Sequence, residues 1–255
     1  MIHLLLCLLN DELHLVQDAL LILLRLTAYP EIIQILAISS LCGPLTRHLL
    51  CGIPELENIV ITIIGNITSV SDSFGTSLIQ HGFFNSALEI FPSSRNLREL
   101  CWALSNLVVC GEYAIIEIVR VGLLERILEL TTVNDISIVI EAVWVLLNTM
   151  IAATEKQLDA LIRGGIIGNL TELLKTGNAN LQYIILDGLN KVLNKFKCWK
   201  NPWEFKEIVI EFIGDHNAYI FEELIMSSNE IVSNLAYIIM ANLYHEESPI
   251  NFFDN

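Results

Sequence analysis

The sequence predicts an all-α fold built from repeats of about 40 residues, and three observations carry that prediction. Apolar residues recur at steps of three and four, as in Leu13, Val16, Leu20, Leu23 and Leu24, while alternating runs are scarce. Glycine followed by two bulky apolar residues occurs as Gly82-Phe83-Phe84, Gly122-Leu123-Leu124 and Gly165-Ile166-Ile167, at intervals of 40 and 43. A second, independent register is set by Asn66, Asn106 and Asn148, spaced by 40 and 42.

Taken in order, the first unit lies near Asp11 to Arg47, with Ser40 in Ser40-Leu41-Cys42 standing where later units have glycine. The charge-free runs Ile33 to Thr46 and Asn58 to Ser71 are interrupted by Gly43, Pro44 and Gly65. They fall short of the roughly 18 to 20 apolar residues a membrane span needs and read as core helices and turns. Gly82, Gly122 and Gly165 each follow a helix, such as Ser77 to His81, Ile115 to Val121 or Leu158 to Arg163. A glycine there takes positive φ, stops one helix and lets the next start at a sharp angle. The asparagine register marks the third helix of each unit, through Gly65-Asn66-Ile67, Trp102 to Asn106 and Trp144 to Asn148, and extends to Asn180–Asn194 and Glu230–Tyr244. About five third helices are expected, the last acting as a cap, in approximate units 1–50, 51–91, 92–132, 133–175, 176–215 and 216–255. Three-helix units of this length, none able to bury its apolar face alone, describe an armadillo or HEAT solenoid. The 255 residues then form one elongated array, not the one or two compact domains that length alone suggests.

Composition narrows the function. An apolar share of 53% against 17% charged residues excludes intrinsic disorder, and the apolar excess is assigned to repeat-to-repeat interfaces. Fourteen Lys plus Arg against 29 Asp plus Glu leave a net charge of -15, which repels a phosphate backbone, so a basic partner is expected in place of nucleic acid. Charge is also uneven: Lys191 to Lys206 holds five lysines against Glu204, and Glu207 to Asn255 holds nine acids with no Lys or Arg. That acidic tail is either a solvated face that keeps an apolar solenoid soluble or a binding surface. Met1 to Asn10 has no Lys or Arg ahead of it and no small-residue cleavage site, so no signal peptide is expected and the setting is cytoplasm and nucleus. Met1 to Leu9 is too apolar for a solenoid cap, which predicts self-association or instability at that end.

No chemistry is expected. The six cysteines form no CxxC pair and have no histidine placed to complete a zinc site, and HExxH, GxSxG and phosphate-loop patterns are missing, so neither metal, cofactor nor catalysis is predicted. The scattered histidines read as surface or helix-end residues, His245 beside a helix C-terminus. Trp199 and Trp203, near Pro202, read as loop or inter-repeat packing.

The candidate site is a binding ladder. Trp102 and Asn106, like Trp144 and Asn148, are four residues apart and share one helix face, so stacking successive repeats aligns them. An indole packs along the stem of Lys or Arg and attracts its cationic head, and an asparagine amide both donates to and accepts from an extended backbone. Glu99 and Glu141 stand three residues before the tryptophans, so both helices read Glu-x-x-Trp-x-x-x-Asn, and Asp72 beyond Asn66 supplies a further carboxylate. The alternative is that the tryptophans are core residues and the asparagines helix-end caps.

These stretches, with Asn66-Ile-Thr-Ser-Val-Ser-Asp72, Gly164-Gly165-Ile-Ile-Gly-Asn-Leu and Ile184-Ile-Leu-Asp-Gly-Leu-Asn190, resemble the C-terminal half of the importin-α (karyopherin-α) family, from about its fifth armadillo repeat to its tenth. The resemblance implies a right-handed superhelical armadillo solenoid acting as a nuclear import adaptor that binds Lys/Arg-rich nuclear localisation signals. It also implies that Asn66, Ser69, Asp72, Glu99, Trp102, Ser105, Asn106, Glu141, Trp144 and Asn148 form a minor-site-like peptide-binding surface. By the same resemblance the acidic tail would meet an export receptor and a nucleoporin. The family's basic importin-β-binding segment and major-site repeats have no counterpart in these residues. Leu21 and Arg25 stand at the Trp and Asn places of the first unit, Thr62 where the family usually has Arg, and Asp187 and Lys191 at the Trp and Asn places of the helix after Asn148. Those departures leave two full rungs and a half rung at Asn66. They favour, as the alternative, an armadillo scaffold that binds other proteins without import activity.

Overall fold

The computed structural model describes residues 2–38, 40–196, 202–213 and 215–244, and divides into two compact units, residues 1–152 and 153–255. Seventeen α-helices and no strand form among the described residues, so the fold is an all-α solenoid of the armadillo type.

In the first unit a short helix, α1 (Ile2–Leu8), precedes α2 (Leu13–Leu26). Three sets of a short pair and a long helix follow. They are α3 (Pro30–Ala37), α4 (Cys42–Leu49) and α5 (Pro54–Thr68); α6 (Asp72–Gln80), α7 (Phe83–Ile90) and α8 (Leu97–Leu107); and α9 (Glu112–Arg120), α10 (Leu123–Leu130) and α11 (Ile136–Ala152). The long helices stack in sequence, α2 on α5, α5 on α8 and α8 on α11, while α4 lies against α6 and α7, and α7 against α10. The order explains the apolar excess. A long helix packs on a neighbouring long helix and on the short helix before it, α5 on α2, α8 and α4 and α11 on α8 and α10, so in α5 Val60, Ile61, Ile63, Ile64 and Ile67 are all fully buried, and in α11 Val143, Val145, Leu146 and Leu147 are. Each such side chain stabilises the stack by roughly 1.5–3 kcal/mol relative to exposure. At the first end, α1 buries Leu5, with Leu9 just beyond it, while Leu4 is exposed.

The glycines fall where the period puts them. Gly82, Gly122 and Gly165 have φ of 84°, 78° and 90°, and each closes one helix and opens the next. A side chain in that left-handed conformation costs about 1–2 kcal/mol, which is why glycine recurs there. At the first junction no described non-glycine residue has positive φ, and α4 starts from Leu41 in a right-handed conformation. Neighbouring sets are also tied by polar contacts. Glu57, buried in the first turn of α5, accepts hydrogen bonds from Ser94 Oγ and, at 3.0 Å, from Asn96 Nδ2 in the turn before α8.

The second unit holds α12 (Glu155–Arg163), α13 (Ile166–Leu174), α14 (Ala179–Phe196), α15 (Pro202–Ile213), α16 (Asp215–Ile225) and α17 (Glu230–Tyr244). Gln157 Oε1 accepts from the Thr154 N–H at 2.9 Å and caps α12. Within this unit α14 and α16 both pack on α17, and α13 packs on α14, α15 and α16. The long helices are α2, α5, α8 and α11 in the first unit and α14 and α17 in the second. Trp203 lies in the first turn of α15. Its side chain, with Cys198, Trp199 and His245, lies outside the described residues. Among the described residues no single helix is long and apolar enough to cross a membrane.

Candidate functional site

The residues singled out by the ladder lie within the first unit, on the long helices α5, α8 and α11, the turn after α5 and the first residue of α6. Trp102 and Trp144 are half-buried, as are Asn66, Asn106 and Asn148, whereas the residues between them in α8 and α11 are buried. The Trp-Asn face is therefore the rim of the stack and not its core.

Each asparagine reaches back one repeat. Asn66 Nδ2 donates to Thr27 Oγ1 at 2.8 Å, Asn106 Nδ2 to the Gly65 carbonyl at 3.2 Å, and Asn148 Nδ2 to the Ser105 carbonyl at 3.1 Å. One N–H of each amide thus staples its helix to the preceding long helix. The second N–H and the Oδ1 of each amide have no hydrogen-bond partner among the described residues. The expected amide row is present, but half of its donor capacity is structural.

Trp102 has a seat of its own. A Cβ built on Gly65 would lie 2.1 Å from Cζ3 and 2.6 Å from Cη2 of the Trp102 ring, so the indole rests directly on the α5 backbone where only glycine leaves room. Gly65 therefore receives two side chains from α8, the ring on its α-carbon and the Asn106 amide on its carbonyl. An isolated glycine inside a helical pattern signals such close approach. Read only as a register mark, it does not reveal this role.

Glu99 and Glu141 come together from the first halves of α8 and α11. With Arg98 and Trp102 they line a hollow of about 150 Å³. Burial pushes the Glu141 carboxyl above the ordinary range, and the Glu99 charge adds to this while Arg98 opposes it. Arg98 was not anticipated from the ladder, although it precedes Trp102 by four residues and so shares its helix face. Its Nη2 lies 2.5 Å from Glu99 Oε1.

The remaining candidates stand apart from the hollow. Ser105 Oγ donates to the Trp102 carbonyl and Ser69 Oγ to the Asn66 carbonyl, both at 2.8 Å, so these hydroxyls bond back to the preceding turn of their own helices. Asp72 is the first residue of α6 and is exposed, and its charge, after burial, helps raise the Cys110 thiol to about 12. Cys101 is likewise pushed up to about 12, chiefly by burial, so neither thiol is a thiolate at neutral pH. At the α2 end, Leu21 and Arg25 are exposed; in α14, Asp187 pairs with Lys191 at 2.6 Å.

No family model matches the chain. It is 23% identical over 229 residues to importin subunit alpha-1 of Caenorhabditis elegans, a match covering 89% of this chain and 43% of that protein, so the chain spans less than half the length of that relative. A designed armadillo repeat protein in complex with the peptide (KR)4 superposes with a TM-score of 0.80 at 21% identity, over 94% of this chain and 98% of that one. Computationally designed armadillo repeat proteins for modular peptide recognition give a TM-score of 0.78 at 20% identity, over 93% and 98%. The fold is importin-α-like armadillo.

Proposed function

We propose, on this importin-α-like armadillo fold, that the rim carrying Trp102, Asn106, Trp144 and Asn148 is a groove for extended Lys/Arg-rich segments of the nuclear-localisation-signal type, and that the chain acts as a nuclear import adaptor. The observation that carries this reading is the hollow at Trp102, where carboxylates from two successive long helices, Glu99 and Glu141, flank an indole. A cationic head is favoured there by both charges and by the ring, and a partly desolvated cation–π contact contributes about 1 kcal/mol or more. Asn66, Asn106 and Asn148 each keep a donor and an acceptor for the peptide backbone, Ser69 and Asp72 follow Asn66 at the end of α5, and Ser105 precedes Asn106. A designed protein of the same fold that holds a Lys-Arg peptide supports the ligand class.

The test is fluorescence anisotropy with a labelled Lys/Arg octapeptide. Trp102→Ala with Trp144→Ala is expected to weaken binding at least about thirty-fold, the loss of one aromatic hot spot or more, with helix content unchanged. Binding should fall steeply with salt because the carboxylates are partly exposed. Unchanged affinity in the double variant would sink the reading. The family resemblance extends the proposal to importin-β, an export receptor, a nucleoporin at the acidic tail, and residence in cytoplasm and nucleus.

A second reading, an armadillo scaffold without import activity, is favoured by Arg25 and Thr62, which interrupt the ladder at its α2 and α5 end. Binding of uncharged and basic extended peptides with equal affinity would select it.

A further inference from the structure

The hollow already contains a cation. Arg98 Nε and Nη2 lie 2.9 and 2.5 Å from Glu99 Oε1, and the guanidinium also feels the charges of Glu141 and Asp135 at the start of α11. Two carboxylates, Glu99 and Glu141, thus line the hollow with one resident positive group. Neighbouring residues on a helix do not share a face, so Arg98 bends sideways to reach its partner, and both line the hollow with Trp102. The Arg98 side chain remains 56% exposed, and that of Glu99 29%. Such a pair is worth less than about 1 kcal/mol and exchanges easily.

We propose that Arg98 is a resident competitor for this hollow: in the free protein its guanidinium holds Glu99, and a Lys or Arg side chain of a bound peptide takes Glu99 over while Arg98 turns out to solvent. The inference rests on the peptide-groove reading and specifies how that groove is tuned. A ligand cation replaces one ion pair with another, so the exchange itself contributes little. Net affinity then comes from the indole and from Glu141, whose charge Arg98 partly offsets at longer range. The groove therefore discriminates against peptides that offer a single cation and no stem to lie along Trp102.

The experiment titrates the labelled Lys/Arg octapeptide with the full chain in four forms: wild type, Arg98→Gln, Arg98→Lys and Arg126→Gln. Arg126 pairs with Glu129 on α10 and controls for loss of one positive charge away from the hollow. Arg98→Gln is expected to bind about two- to five-fold tighter, the range of an exposed ion pair. Arg98→Lys should match wild type, and Arg126→Gln should gain clearly less than Arg98→Gln. In a Glu99→Gln background the gain from Arg98→Gln should shrink, because the competed carboxylate is gone. Thermal melts confirm that each variant is folded. Wild-type binding without a gain in Arg98→Gln, or with an equal gain in Arg126→Gln, overturns the competitor and leaves the groove reading standing. Binding by Arg98→Gln alone supports the competitor while removing basic-peptide binding from the native chain, and binding by neither overturns both.

Discussion

Gly65→Ala isolates the seat of Trp102. The added Cβ would stand 2.1 Å from the ring, whereas carbon atoms at rest are about 3.5 Å or more apart, so the indole must retreat by about 1.4 Å or α5 and α8 must part. Overpacking of this kind costs about 1–3 kcal/mol. Alanine in a helix interior returns about 1 kcal/mol relative to glycine, so the net loss of stability is about 0–2 kcal/mol. The decisive measurement is a double-mutant cycle by denaturant unfolding. With Trp102 present Gly65→Ala destabilises or is neutral; with Trp102→Ala already made, the clash is gone and the same change stabilises by about 1 kcal/mol. The coupling should therefore lie at about 1–3 kcal/mol. Peptide affinity supplies a second readout, since a displaced ring weakens binding even where stability barely moves. If Gly65→Ala stabilises the wild type as much as it stabilises Trp102→Ala, the ring does not rest on Gly65 and the reasoning fails.

Further outcomes follow from single sites. Glu141 holds its proton more tightly in the folded state than in the unfolded chain, so stability rises as pH falls through the window above the ordinary value of 4.5. Over that same window affinity for a basic peptide should fall; Glu141→Gln should melt no lower than wild type at pH 7 yet bind more weakly, and tighter binding by that variant would refute its role. Gly122→Ala should lose about 1–2 kcal/mol because φ is 78°. Gly168→Ala, inside α13 with no atom within 4 Å of the new Cβ, should gain up to about 1 kcal/mol, and equal melting shifts for the two would contradict the assignment of left-handed junctions.

Much of this was legible because repetition converts weak signals into strong ones. A single glycine before two apolar residues says little, but Gly82, Gly122 and Gly165 at one period mark three helix junctions, and the structure gives all three positive φ. The same logic found the Trp-Asn face, since Trp102 with Asn106 and Trp144 with Asn148 repeat at one spacing. What repetition could not show is anything that occurs once. Arg98 has no equivalent before Trp144, where the corresponding residue is Ile140, so no period pointed to it. The asparagines were legible as a row but not in their second role, because a hydrogen bond from Asn106 to Gly65 joins residues 41 apart and depends on how closely two helices approach.

That approach suggests why the rungs stand where they do. The residue just before each register position lies on the long helix that receives the next repeat's side chains, and in the first unit its size varies with what arrives. Gly65 receives Trp102. Ser105, the next in register and also small, gives its carbonyl to Asn148 one turn after Trp144. At the corresponding place in α2 stands Leu24, and the position that would carry the next tryptophan is Thr62. By the precedent of Gly65, a leucine at that place is expected to crowd an indole at position 62. Tryptophan at position 62 alone would therefore meet Leu24 and cost stability through overpacking, and a third rung requires Leu24→Gly together with Thr62→Trp. The place of Trp102 is in this sense specified one repeat ahead of itself, by the Gly65 that lets its indole lie on α5.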